Sequence, residues 1–91
     1  MEVRWTRPAA QDLEEIARFI GQNNPDAALR VAKVIYDRCM GLELFPERGR
    51  TGRIADTREL VFAPLPYIAV YRVKDDAVEI LRIYHTARNW P

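Results

Sequence analysis

The sequence predicts an α+β domain: one strand, an antiparallel helical hairpin, then a three-stranded antiparallel meander. All strands share one sheet, and the helices cover one of its faces. Three observations carry this. From Arg58 onward, three successive runs rich in Val, Ile and Tyr read with the period of two of strands. Between Thr6 and Phe45, apolar positions recur instead at helical spacing. The two helical patterns are separated only by a short polar link, which makes them antiparallel neighbours.

In chain order, Glu2 to Trp5 alternates, with Val3 and Trp5 on one face, and reads as a first strand in the meander's sheet. Which strand it neighbours is not readable from its residues. Thr6 is placed to cap a helix whose first turn holds Pro8, where a missing N–H does no harm. Asp12, Glu14 and Glu15 come early in it, where the macrodipole favours negative charge. Leu13, Ile16, Ala17 and Ile20 make its apolar stripe, and Gly21 ends it. Asn24 caps a second helix with Pro25 at its first position. That helix is expected to run to about Leu44, with a bend or fraying at Gly41. Its main stripe is Ala28, Val31, Ala32, Ile35, Cys39 and Leu42. Leu29, Val34, Tyr36, Met40 and Phe45 widen it, which predicts contact with both the sheet and the first helix.

Pro46 stops the helix and opens a glycine-containing loop to Thr57 with Arg48, Arg50 and Arg53, and Arg58 follows. Leu60 and Phe62 then alternate with Glu59 and Val61. Pro64 and Pro66 require a turn before the next strand. Ile68, Val70 and Arg72 alternate with Tyr67, Ala69, Tyr71 and Val73. After the polar break Lys74-Asp75-Asp76, the residues Val78, Ile80 and Arg82 alternate with Glu79, Leu81 and Ile83.

A chain of 91 residues with 48% hydrophobic and 30% charged residues is one globular domain, spanning 1–91. One cysteine, Cys39, fits a reducing cytoplasm. The opening MEVRWTRP lacks the apolar core of a signal peptide, and no run approaches the ~20 residues of a membrane span. The expected location is therefore the cytoplasm, with no membrane contact. A net charge of +1 does not announce a nucleic-acid binder. Residues 1–45 carry six basic and seven acidic side chains, and residues 46–91 carry eight and six, so the sheet half is only slightly the more basic.

One His and one Cys far apart give no metal pattern, and neither a phosphate loop nor a serine-nucleophile motif is present, so no cofactor is expected. The arginine loop has two readings: a clamp for phosphates or an acidic protein, or a solvated loop paired with Glu47, Asp56 or helix carboxylates. Tyr84, His85 and Arg88, with Arg72 and Arg82, also have two. RNA cleavage through the ribose 2′-OH needs a base, an acid and cations. His85 is the candidate acid, Glu47 a distant candidate base, and Arg72 and Arg82 the charge stabilisers. Otherwise His85 packs at a strand end, while Arg72 and Arg82 pair with Glu59 or Glu79. Tyr67 and Tyr71 are read as core or partner contacts. Trp90, in the tail Asn89-Trp90-Pro91, either tucks onto the domain or serves as a binding anchor.

The order R-E-L, then P-Y-I-A-V-Y-R-V, then V-E-I-L-R-I-Y-H-T-A-R-N-W-P resembles the RelE/ParE family of bacterial toxins. It is most similar to the ParE-type branch in Pro66, Tyr67, Tyr71, His85, Arg88 and Trp90. The resemblance implies the toxin of a type II toxin–antitoxin pair, held by a cognate antitoxin in a hetero-oligomer. In the ParE-type branch it implies poisoning of DNA gyrase by protein binding, without a dedicated hydrolytic site. On that reading His85, Arg88 and Trp90 bind the target, and Arg48, Arg50, Arg53 and Arg58 bind the antitoxin. In the RelE-type branch it implies a ribosome-dependent mRNA endonuclease built on Arg72, Arg82, Tyr84 and His85. A family member that keeps antitoxin binding but has lost toxicity is a third expectation.

Overall fold

A computed structural model describes residues 1–88; Asn89, Trp90 and Pro91 lie outside the described residues. The elements are β1 (Glu2–Trp5), α1 (Arg7–Gly21), α2 (Pro25–Met40), a 3-10 turn (Gly41–Glu43), β2 (Arg50–Thr51), β3 (Arg58–Val61), β4 (Tyr67–Lys74) and β5 (Ala77–His85). The strands form one sheet in the order β1-β5-β4-β3-β2. β3, β4 and β5 are the expected antiparallel meander. β1 pairs in parallel with β5, so the helical hairpin lies between the two edges of the sheet in sequence.

Both helices start where the caps dictate. The Thr6 hydroxyl accepts the Ala9 N–H at 3.2 Å, and the Asn24 Oδ1 accepts that of Ala27 at 3.0 Å. Thr6 also ties the helix to the sheet: its N–H donates to the Ile80 carbonyl, and its hydroxyl lies 3.0 Å from the carbonyls of Ile80 and Leu81. The core joins Ala9, Ile35, Cys39 and Leu42 of the helical layer to Leu60, Phe62, Tyr67, Ala69, Tyr71, Val78, Ile80 and Ile83 of the sheet layer. Tyr67 and Tyr71 are thus core residues.

Four features depart from the sequence reading. First, α2 ends at Met40 rather than Leu44; the helix tightens into a 3-10 turn at Gly41, a residue that disfavours continued helix. Second, Leu29, Tyr36 and Phe45 do not join the core. They are 72%, 47% and 57% exposed: Leu29 and Tyr36 because a helix on one face of a sheet buries only one stripe, and Phe45 because it lies beyond the helix in the loop. Third, the arginine loop contains a fourth meander-side strand, β2, whose two residues pair with Arg58 and Glu59. Two residues are too few to show a period.

The fourth departure concerns the last strand. Val70 pairs with Arg82, but Tyr71 pairs with Ile80, so Leu81 is an extra residue in a β-bulge. Strict alternation would put Arg82 on the face of Val78 and Ile80. The bulge reverses the phase: Ile83 turns inward with them and is 3% exposed, while Arg82 faces outward.

Candidate functional site

The bulge decides what gathers at the end of β5. Arg82, Tyr84, His85 and Arg88 line a cleft of about 660 Å³ against the α1 residues Asp12 and Phe19. Asp12 is its organising group. Its Oδ2 accepts from Arg82 Nε at 2.7 Å and from the Ile83 N–H at 3.0 Å, and its Oδ1 accepts from Arg82 Nη2 at 3.0 Å. The hydrogen bond that Arg82 donates to Asp12 raises the Arg82 pKa above its ordinary value. The Arg82 guanidinium also lies over the Tyr84 ring, 5.1 Å from its centroid.

His85 is held on two sides. Its ring meets Tyr67 edge-on at 5.2 Å, and its Nδ1 accepts the Ala87 N–H at 3.1 Å. A neutral imidazole bonded this way carries its proton on Nε2. Arg88 is exposed at the mouth. Arg72 does not reach this cleft. It donates to Glu79 at 2.6 Å, and that bond holds the Glu79 carboxyl below its usual pKa. Glu47, the candidate base, lines a separate hollow with Leu44 and Phe45. The structure therefore gathers Arg82, Tyr84, His85 and Arg88 and leaves Arg72 and Glu47 elsewhere. Trp90 lies outside the described residues.

The arginine loop makes a second site. Glu59, 3% exposed, accepts from Arg50 Nε at 3.0 Å and from the Arg53 N–H at 2.9 Å. Arg58 turns inward and donates to the Gly49 carbonyl at 2.9 Å. Arg48 lies over the Phe45 ring at 5.0 Å. Neither Glu47 nor Asp56 is the carboxylate that Arg50 uses. Beneath the loop, the buried Tyr71 hydroxyl donates to the Pro46 carbonyl at 2.7 Å and accepts the Gly49 N–H at 2.8 Å. A Cβ on Gly49 would sit 2.7 Å from that phenol, so only glycine fits. A cleft of about 460 Å³ opens here, walled by residues 48–50, residues 59–61 and Arg38 of α2.

Sequence reasoning missed Asp12 and Arg38, and it offered Glu59 as a partner for Arg72 or Arg82, whereas Glu59 pairs with Arg50. Asp12 read as a favourable early-helix charge. Arg38 sits on an exposed helical face with nothing to distinguish it from other surface arginines. Among the described residues, no group of three His, Cys, Asp or Glu could hold a metal ion, and no helix is long and apolar enough to cross a membrane.

The family model described as the ParE toxin of the type II toxin–antitoxin system parDE matches residues 3–90. The chain belongs to the ParE toxin family. Y4kP of Sinorhizobium fredii (strain NBRC 101917 / NGR234) is 46% identical over 89 residues, covering 98% of this chain and 92% of that protein. Toxin RelE2 of Caulobacter vibrioides is 45% identical over 87 residues, covering 96% and 97%. Among solved structures, the chromosomal ParDE toxin–antitoxin system of P. aeruginosa contains a chain that matches with a TM-score of 0.87. The two are 31% identical, with 93% of this chain and 95% of that one covered. The RelBE2 complex of Mycobacterium tuberculosis matches with a TM-score of 0.69 at 27% identity, covering 96% and 92%. This member of the ParE toxin family thus carries the RelE/ParE fold over 93–96% of its chain.

Proposed function

We propose that this ParE-family toxin arrests growth by binding DNA gyrase, and that a cognate antitoxin neutralises it in a hetero-oligomer. The observation that carries this reading is the state of the outer-face arginines. Arg82 forms a two-pronged pair with Asp12, and Arg72 pairs with Glu79. Cleaving RNA through the 2′-OH builds extra negative charge on phosphorus, and preorganised cations must meet it. Here those guanidiniums already hold carboxylates. Withdrawing Asp12 would also leave the Ile83 N–H without its acceptor. A protein-binding mechanism needs no such withdrawal. The match over residues 3–90 to the ParE model supports the same reading. The known complexes among its structural relatives, ParDE and RelBE2, support an antitoxin partner.

One observation favours a second reading, the ribosome-dependent mRNA endonuclease. The cleft does bring together Arg82, Tyr84, His85 and Arg88. The test is to induce the toxin and follow DNA-damage signalling and protein synthesis in parallel. Gyrase poisoning raises the damage signal before synthesis falls. Codon-dependent cuts in ribosome-bound mRNA, lost on His85→Ala, would establish the endonuclease instead.

A further inference from the structure

Three N–H groups converge on one acceptor at the bulged end of β5. The Arg82 guanidinium offers Nε and Nη2 side by side, and the Ile83 backbone adds its N–H. The fold explains why that N–H is open to a ligand. β1 ends with Trp5 opposite Ile80, and the Thr6 N–H donates to the Ile80 carbonyl as the chain turns into α1. Beyond Ile80 the sheet has no strand on that side of β5 among the described residues. A guanidinium fork with a backbone N–H beside it matches the oxygens of a carboxylate and those of a phosphate alike. Asp12, carried in by α1, fills the fork. Its side chain is 14% exposed, whereas that of Arg82 is 45% exposed and reaches the cleft.

The surroundings of the fork suit a nucleic-acid strand. Arg88 stands at the mouth, the Tyr84 ring lies against the Arg82 guanidinium, and the exposed Phe19 lines the α1 side. Cations that follow phosphates, beside rings on which bases stack, are how single strands are held. The charge on α1 works against such a ligand. Asp12 and Glu15 both line the cleft. Asp12 acts on Arg82 by direct hydrogen bonds of 2.7 and 3.0 Å, and Glu15 acts on it through its charge. A phosphate can take the fork only by turning Asp12 out of it, since two anions at contact distance repel.

We propose that Arg82 and the Ile83 N–H form a phosphate-binding site that the chain fills with its own Asp12, and that Asp12 thereby keeps RNA strands out of the cleft. The inference rests on the protein-binding reading above and names the residue that enforces it. Arg82 alone does not select, because the same fork without Asp12 takes a phosphodiester. Asp12 is thus a specificity-determining residue that acts by occupying a site rather than by touching a target.

The test titrates the full chain into a short fluorescein-labelled single-stranded RNA over a range of salt. The proteins are the wild type, Asp12→Asn, Glu15→Gln, and Asp12→Asn combined with Arg82→Gln. Asparagine keeps an oxygen for the Ile83 N–H and loses only the charge, so the fold is retained. Asp12→Asn is expected to bind the RNA at least about tenfold more tightly. Its log affinity should also fall more steeply with log salt by about 0.7, the share of one added phosphate contact on a single strand. Glu15→Gln removes the same charge from the same wall but leaves the fork filled, so it should stay near wild type. Arg82→Gln should cancel the gain. Asp12→Ala carries the question to inorganic phosphate: its melting temperature should climb with phosphate more than that of the wild type, because a ligand entering the emptied site stabilises the fold. Three results would each overturn the site: wild-type RNA affinity in Asp12→Asn, an equal gain in Glu15→Gln, or a phosphate response in Asp12→Ala no larger than the wild type's. With ribosome-bound mRNA left intact by the wild type, any of them leaves the protein-binding reading standing. Wild-type toxin that binds the RNA as tightly as Asp12→Asn and cuts the mRNA would overturn both.

Discussion

Asp12 accepts from the Arg82 guanidinium and from the Ile83 backbone, with its side chain only 14% exposed. Asp12→Ala would leave a backbone donor at the bulged end of β5 and a guanidinium both without an acceptor. The expected loss is about 1–3 kcal/mol, the cost of stranding such groups, read as a lower urea midpoint at unchanged slope. Two buried groups contribute to the alkaline behaviour. Burial pushes the Cys39 thiol up to about 12 and also raises the Tyr71 phenol. In the unfolded chain they ionise near about 8.5 and about 10. Both folded values lie above the unfolded ones, so the stability they contribute is complete below about pH 8.5 and is lost as pH climbs toward the folded values. Urea midpoints should stay level near neutrality and fall from about pH 9 upward, and Cys39→Ala should show the shallower fall. An equally steep alkaline fall in Cys39→Ala would contradict the assignment of the thiol.

At the scale of elements, the β4–β5 hairpin turns on Asp75 and Asp76, whose φ angles are 53° and 61°. Two successive left-handed residues define the turn that suits strand twist, and Asn-Gly adopts it most readily. Replacing Asp75 by Asn and Asp76 by Gly should raise stability by about 1 kcal/mol, relieving left-handed strain and two adjacent like charges. A lowered melting temperature would show that the aspartates make a contribution beyond the turn. Elements with strong local signals were legible in the sequence: Thr6 and Asn24 cap their helices, and Tyr67 to Lys74 is rich in the Val, Ile and Tyr of a strand, with its first five residues buried. The bulge at Leu81 was not, because nothing in V-E-I-L-R-I-Y marks one residue as extra. Only the pairing of Tyr71 with Ile80 reveals it. That one residue moves Arg82 out of the core phase and into reach of Asp12.

Across the whole molecule, the layers and meander follow from periodicity, whereas the neighbours that cross the sheet do not. The pairing of β1 with β5 is parallel and joins the two ends of the chain, so no local pattern encodes it. The candidate site divides the same way. Arg82, Tyr84, His85 and Arg88 are close in sequence and meet in space, but Asp12, which occupies Arg82, comes from 70 residues away. The arginine loop has two readings in the sequence, a clamp or a solvated loop paired with carboxylates; in the structure Glu59 holds Arg50, and Arg58 bonds the carbonyl of Gly49. Arg38 and Arg48 line the cleft beside β3 together with Val61. On the proposal above, both antitoxin and target are engaged as proteins.

The most direct measurement of that proposal incubates purified toxin with DNA gyrase, ATP and supercoiled plasmid, then denatures the protein and resolves the DNA. In parallel, toxin is added to ribosomes carrying a defined mRNA. The account predicts that linear plasmid accumulates with toxin concentration, that the product of the adjoining reading frame suppresses it, and that the mRNA stays intact. Unaltered gyrase products beside cut mRNA, with cutting abolished by His85→Ala, would contradict it.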